Sequence, residues 1–287
     1  VAEARVGIVA GSGFYEMEGL TDTEEISIKT PFGEPSDAII VGNLEGVRVA
    51  FLPRHGRGHR ISPTEIPVRA NIYALKTLGV ERIISVAAVG SLNEKIKPLD
   101  LVVPDQIIDR TRNRTSTFFT GGIVGHIMFA EPYCTDTSRI LLESARDMNI
   151  TVHEGGTYLA MEGPQFSTKA ESNLYRSWGA DIIGMTSLPE AKLAREAEIC
   201  YASLSFVTDY DCWYDAEETV TIEMILDNLR KDINTAKKIV RKAVALFPES
   251  RDCVCAHALE NSIITAPGLI SPQVKKDLAP IIGKYIP

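Results

Sequence analysis

Short apolar, β-rich runs alternating with helix-length amphipathic stretches constrain this chain more than any other feature. In order they are "RVGIVA", "DAIIVGNLEGVRVAFLP" as a hairpin, a helix across "VRANIYALKTLG", then "RIISVAAVG", "LDLVVPDQIID" and a helix near Thr137 to Met148. "GGTYLAME", a helix across "KAESNLYRSWG", "DIIGMTS", a helix from Pro189 to Glu196, "CYASLSFVT" and a long helix from about Glu217 to Leu246 complete the series. Strands and helices of this length in alternation predict an α/β domain with a mostly parallel central sheet. Such sheets bind ligands beyond the carboxyl ends of their strands. Polar clusters fall at these ends: Ser12, Arg54 with His55, Thr186, and Asp209 with Asp211.

A chain of 287 residues with 45% hydrophobic content is long enough to bury a large core. It has no linker that divides it, so residues 1-287 read as one domain, with a proline-containing tail over 266-287 whose role is open. The net charge of −8 is dispersed, without the basic stripe that phosphate neutralisation on a polymer requires, so no nucleic-acid partner is expected. No apolar run approaches membrane-spanning length, and the opening "VAEARVGIVAGSG" leads into a strand without a signal-peptide pattern, so a cytoplasmic location and no membrane contact are expected. Cys134, Cys200, Cys212, Cys253 and Cys255 match the spacing of neither a zinc ribbon nor a zinc finger. They read as buried free thiols, with a redox or stapling role for the "CVC" pair as the alternative.

Four motifs carry chemistry. "VAGSGFYE" starts like a dinucleotide fingerprint but has Glu16 where the third glycine belongs; it suits an anion bound by backbone N–H groups beside Ser12, or a plain tight turn. "LPRHGRGHR" joins Arg54, a fixed fork for oxyanions, to His55, which can become cationic, and so reads as a phosphate clamp. His55 and His59 as metal ligands are the weaker reading, because Gly56 and Gly58 disfavour a helix and no third ligand is nearby. In "AMEGPQFST", Phe166 and Ser167 follow a Gly-Pro turn that can present an aromatic face to a planar base; core packing is the competing role for Phe166. Asp209 and Asp211 share one face if the segment is extended, and crowding of two carboxylates at a dry site raises one pKa; a solvated acidic turn is the alternative.

Taken together and in this order, these motifs with "AAVGSLNEKIKPLDLVVPDQIIDRT", "HIMFAEPYC" and "WGADIIGMTSLPEAKLAREAEICYASLSFVTDYDCW" resemble the methylthioadenosine phosphorylase branch of the trimeric purine nucleoside phosphorylases, from about Val6 to Leu246. The resemblance implies one α/β domain whose central mixed β-sheet is partly closed into a barrel and flanked by helices, assembled as a homotrimer or hexamer. It implies phosphorolysis of 5′-methylthioadenosine to adenine and 5-methylthioribose 1-phosphate, in methionine and purine salvage, with phosphate as co-substrate and neither a metal nor an organic cofactor.

Residue by residue, the resemblance implies that Ser12, Arg54, His55, the backbone near Ala88, and Thr186 hold phosphate, and that Met185 packs on the ribose. Phe166 stacks on the base, Asp209 serves as the acid towards purine N7, and Asp211, or Ser167, completes the polar contacts around the 6-amino group. Ser167 and Asp209 match the 6-aminopurine branch, since the 6-oxopurine branch carries Glu and Asn there. Ile222, Ile225 and Leu226 match the helix that receives the methylthio group, with ordinary core packing as the competing role, and His126 matches a residue that enters this pocket from the neighbouring subunit. Ala87 departs from the family, many of whose members carry threonine there. A broader purine nucleoside phosphorylase, a histidine phosphatase sharing the R-H-G triplet, and a non-catalytic nucleoside-binding protein are the alternatives.

Overall fold

The computed structural model describes residues 4–11, 14, 17–148, 150–214 and 222–286, with the backbone alone at 222–227 and 229–232. The strands are β1 (Val6–Ala10), β2 (Thr21–Ile26), β3 (Ile39–Leu44), β4 (Val47–Pro53), β5 (Arg82–Ser91), β6 (Leu101–Val103), β7 (Gln106–Arg110), β8 (Val152–Glu154), β9 (Thr157–Met161), β10 (Ile182–Gly184) and β11 (Cys200–Asp209). The helices are α1 (Val68–Thr77), α2 (Thr135–Arg146), α3 (Lys169–Ser177), α4 (Ser187–Glu196), α5 (Ile222–Leu246), α6 (Pro272–Asp277) and α7 (Ala279–Ile282). The expected hairpin is β3–β4. Its two-residue turn has both φ angles positive, Glu45 at 50° and Gly46 at 79°, the twist that matches the flanking strands.

Side-chain alternation explains the unbroken apolar strands. Ile8 and Ala10 of β1, Val49 and Phe51 of β4, and Ile84 and Val86 of β5 pack with α2 and α5. Their neighbours Val9, Ala50, Leu52 and Ile83 pack on the other side with α1 and α4. Strands buried on both faces need apolar residues at every position, which is why the sequence shows runs there rather than alternation.

Strand β5 is the hub of a single mixed sheet. It pairs in parallel with β1 through Val86 and with β11 along its length, and antiparallel with β10 at Gly90 and Ser91. The expected mixed sheet is present, and it stays open: no ladder among the described residues joins its outer strands β2, β7 and β8 into a closed barrel. On one edge of β5, β1 stops opposite Val86 and β10 begins opposite Gly90. Ala87, Ala88 and Val89 therefore lack a ladder partner on that edge among the described residues, and Ala88 is exposed inside an otherwise buried strand. This gap positions the site.

The strand expected over "LDLVVPDQIID" is broken after Val103, and its halves β6 and β7 pair with different neighbours, β11 and β9. Pro104 lacks an N–H for a ladder at the break. The tail carries α6 and α7; Ile270, Leu278, Ile281, Ile282 and Ile286 join the core beside α1. No helix among the described residues is long and apolar enough to cross a membrane.

Candidate active site

A cavity of about 500 Å³ opens where the sheet parts around Ala88. That volume falls within the roughly 300–1,000 Å³ of small-molecule sites. Arg54, His55, Ala88, Phe166, Met185, Thr186, Asp209 and Asp211 all line it, from five separate stretches of chain. Ser12 lies outside the described residues, as do the side chains of Ile222, Ile225 and Leu226. Two later residues of the same helix α5, Ile233 and Ala236, line the cavity. His126 does not line the cavity of its own chain and faces solvent.

Arg54 does more than the sequence suggests. Its guanidinium is 1% exposed and grips Glu190 as a fork, Nε to Oε1 at 2.7 Å and Nη2 to Oε2 at 3.1 Å. It also donates to the carbonyls of Val86 and Val9 and to Ser85 Oγ. Among the described residues, one Nη1 hydrogen has no acceptor. Burial alone would lower the Arg54 pKa, but Glu190 reverses this and the net shift is upward, so the positive charge is fixed.

His55 differs from the sequence-based expectation. Burial, with a smaller contribution from the charge on Arg54 and against a bond to the Ile61 carbonyl, lowers its pKa to about 4. The imidazole is therefore neutral at neutral pH rather than cationic. Nδ1 lies 2.8 Å from the Ile61 carbonyl, which fixes the proton on Nδ1 and leaves Nε2 as an acceptor. A protonated phosphate oxygen fits that acceptor. His59 stacks on His55 with centroids 4.3 Å apart and planes 13° apart, a parallel arrangement unlike two ligands converging on one ion.

The two aspartates come together by a route other than an extended strand. The β11–β5 register slips between Val207 and Asp209, a bulge at Thr208 that re-aims Asp209. Asn228 of α5 donates to the Thr208 carbonyl at 2.9 Å and so secures the bulge. The chain then turns: Asp211 adopts a φ of 51° and opens a short 3-10 turn, and its N–H donates to Asp209 Oδ1 at 2.7 Å. Asp209 Oδ2 accepts from the Thr208 hydroxyl at 2.7 Å. Gly90 permits the approach, since a Cβ there would lie 3.2 Å from Asp209 Oδ1 and 3.2 Å from Ile183.

Both aspartate pKa values are raised, chiefly by burial. Mutual repulsion, the cause expected from crowding, is only a lesser contribution at Asp211. The Thr208 hydroxyl and the Asp211 N–H oppose the rise at Asp209. Among the described residues the buried Asp211 Oδ2 accepts no hydrogen bond, although the hydroxyls of Ser172 and Ser167 stand near enough to oppose the rise in the Asp211 pKa, so a ligand's donor can satisfy it. The pair thus sets two buried carboxyls side by side, both with their neutral form favoured by burial.

Phe166, 63% exposed, stands at the rim rather than in the core. Ser167 does not line the cavity; its hydroxyl points to Met161 Sδ at 3.8 Å and stands near enough to Asp211 to favour that carboxylate's charge. The following Thr168 caps α3 by accepting from the Glu171 N–H, which anchors the loop. Thr186 precedes α4, whose regular turns begin at Pro189 because Leu188 has non-helical angles of −117° and 138°. Sequence reasoning missed Arg114, which donates to the carbonyls of Met185, Leu188 and Glu162 and ties together the ends of β9 and β10. Its only sequence signal was a cationic residue after a strand.

The chain matches the Phosphorylase superfamily model over residues 5–245. It is 54% identical to the S-methyl-5′-thioadenosine phosphorylase of Gloeobacter violaceus over 288 residues, covering 99% of this chain and 96% of that protein. Among solved structures, a methylthioadenosine phosphorylase from an antarctic soil metagenomic library superposes with a TM-score of 0.94 at 49% identity, over 98% of this chain and 99% of that one. A variant of the Schistosoma mansoni adenosine/methylthioadenosine phosphorylase, solved in complex with methylthioadenosine, superposes with a TM-score of 0.81 at 34% identity, over 98% of each chain.

Proposed function

Because the chain belongs to the phosphorylase superfamily, we infer that it catalyses the phosphorolysis of 5′-methylthioadenosine, releasing adenine and 5-methylthioribose 1-phosphate. The observation that carries this reading is the buried carboxyl pair, Asp209 with its raised pKa beside Asp211 Oδ2, which accepts no hydrogen bond among the described residues, in one cavity with Arg54 and Thr186. His55 follows β4 and Asp209 ends β11, three strand spacings apart, or about 14 Å. A nucleoside with a phosphate beneath its sugar spans a similar length.

In the reaction, a phosphate oxygen bonds to the anomeric carbon as the bond from that carbon to purine N9 breaks. The bonding electrons pass to the base, and the Asp209 proton moves to N7 to neutralise them. Phosphate is held by Arg54, His55 and Thr186, with the unpaired edge of β5 at Ala88 beside it. Holding the two reactants in line lowers the barrier, by up to about 7–11 kcal/mol in the best intramolecular cases. Met185 packs on the ribose, Phe166 covers the base, and Asp211 Oδ2 accepts from the 6-amino group. The 5′-methylthio group lies against helix α5, on the face that Ile233 and Ala236 belong to. Phosphate is a co-substrate, and the reaction uses no organic cofactor.

Assembly into a homotrimer or hexamer completes this reading. His126 is exposed and away from its own cavity, and Val124, Met128, Ile264 and Leu269 are large apolar residues left on the surface.

The open acceptor at Asp211 favours an amino group over a carbonyl at purine C6. Comparing kcat/KM on methylthioadenosine and inosine at saturating phosphate is expected to favour methylthioadenosine by at least about 10²-fold. Equal use of inosine would instead support a broad purine nucleoside phosphorylase.

A further inference from the structure

Four of the five cysteines meet far from the cavity. Cys134 begins α2 at its N-cap, Cys200 is the first residue of β11, and Cys253 and Cys255 flank a single residue at the start of a 3-10 turn over Val254–His257. Their Sγ atoms all lie within 4.8 Å of one another. Cys134, Cys200 and Cys255 form a buried cluster of sulfur alone, with Cys253 partly buried against it. No disulfide joins them, and Cys200 and Cys253 are 3.2 Å apart, well beyond the covalent S–S length of about 2.03–2.05 Å.

We propose that Cys134, Cys200, Cys253 and Cys255 form a structural site for one tetrahedral, thiolate-preferring metal ion of the Zn²⁺ class. A tetrahedron with metal–sulfur bonds of about 2.3 Å has edges of about 3.8 Å, a spacing the four sulfurs reach with small rotamer adjustments. Four soft sulfur ligands select zinc or a single iron over calcium or magnesium. Binding converts the thiols to thiolates and releases their protons to solvent, and needs no oxidant or reductant.

The surroundings suit such a complex. Cys134 occupies an N-cap position yet makes no capping hydrogen bond, so its sulfur is directed to the cluster rather than to the helix. The complex of one divalent ion with four thiolates is doubly negative, and Arg251 Nη1 stands 3.7 Å from Cys200 Sγ. The same Nη1 donates to the carbonyls of Glu198 at 2.6 Å and Glu81 at 3.2 Å, which fixes the guanidinium as an outer-sphere partner. Cys134 N–H donates to the Tyr201 carbonyl and Cys200 N–H to that of Glu81, so two of the ligands sit on preformed backbone.

All four positions are filled by protein, the arrangement of a structural rather than a catalytic ion. Cys200 and Asp209 are the first and last residues of β11, about 30 Å apart along the strand. The ion therefore ties the segment leading into the C-terminal tail to α2 and β11, and takes no part in phosphorolysis. Sequence spacing could not show the site, because only the Cys-X-Cys pair is local.

The full-length protein, purified without chelator from zinc-supplemented medium, is expected to carry one zinc or iron per chain by elemental analysis. After chelation under reducing conditions, Co²⁺ alone should restore the site and give the visible absorption of tetrahedral thiolate coordination. Zn²⁺ alone should raise Tm by about 5–10 °C over the metal-free protein, with kcat/KM changed by less than about twofold. Cys253→Ser should lower metal content and Tm and leave kcat/KM within the same limit. A metal-free protein that takes up neither Zn²⁺ nor Co²⁺ when fully reduced would overturn the proposal. A mass lower by the hydrogens of one or two disulfides, with no metal bound after reduction, would overturn it in favour of stapling.

Discussion

Asp209→Asn is expected to lower kcat on methylthioadenosine by about 10²–10⁴-fold, the usual contribution of a positioned general acid, while the nucleoside KM changes only a few-fold. The amide can hydrogen-bond to N7 but has no proton to give up. In the wild type the burial that raises the Asp209 pKa keeps it protonated to higher pH. Turnover should accordingly fall as pH rises through that raised value, and the variant should lack this alkaline limb. Steady-state kinetics across pH on both proteins checks the result; a variant with near wild-type kcat would remove Asp209 from the proton transfer.

Arg54→Ala has two expected effects of different origin. Glu190 is 2% exposed and would be left as a buried carboxylate that has lost its main partner, a loss of about 3–5 kcal/mol and a Tm lower by about 10 °C. Tyr201 and Ser85, which approach Glu190 Oε2 at 3.0 and 3.3 Å, cannot replace the charge. Phosphate should also bind more weakly, since the cavity loses its fixed positive charge. Calorimetry and phosphate saturation curves separate the two: a higher phosphate KM with unchanged Tm would contradict the structural role, and the reverse would contradict the clamp.

Much of this was legible in the sequence because a strand buried on both faces shows as a continuous apolar run, and polar residues just beyond such a run mark a carboxyl end. Arg54, His55, Thr186, Asp209 and Asp211 were found that way, and all line the cavity. The details that escaped depend on tertiary context. The bulge at Thr208 and the left-handed Asp211 replace the extended geometry expected from i, i+2 spacing. The neutral state of His55 comes from burial and the Ile61 carbonyl, neither of which is visible in "PRHGRGH". Arg114 serves carbonyls on distant segments, and strand β2 is exposed and polar, so its pattern carries no burial signal. The four clustered cysteines come from three regions of chain that only the fold unites.

Product analysis of methylthioadenosine turnover with and without phosphate distinguishes phosphorolysis from hydrolysis directly. Adenine release is expected only when phosphate is present, matched mole for mole by 5-methylthioribose 1-phosphate. Adenine and free 5-methylthioribose released at equal rate without phosphate would contradict it, as would the absence of turnover in its presence.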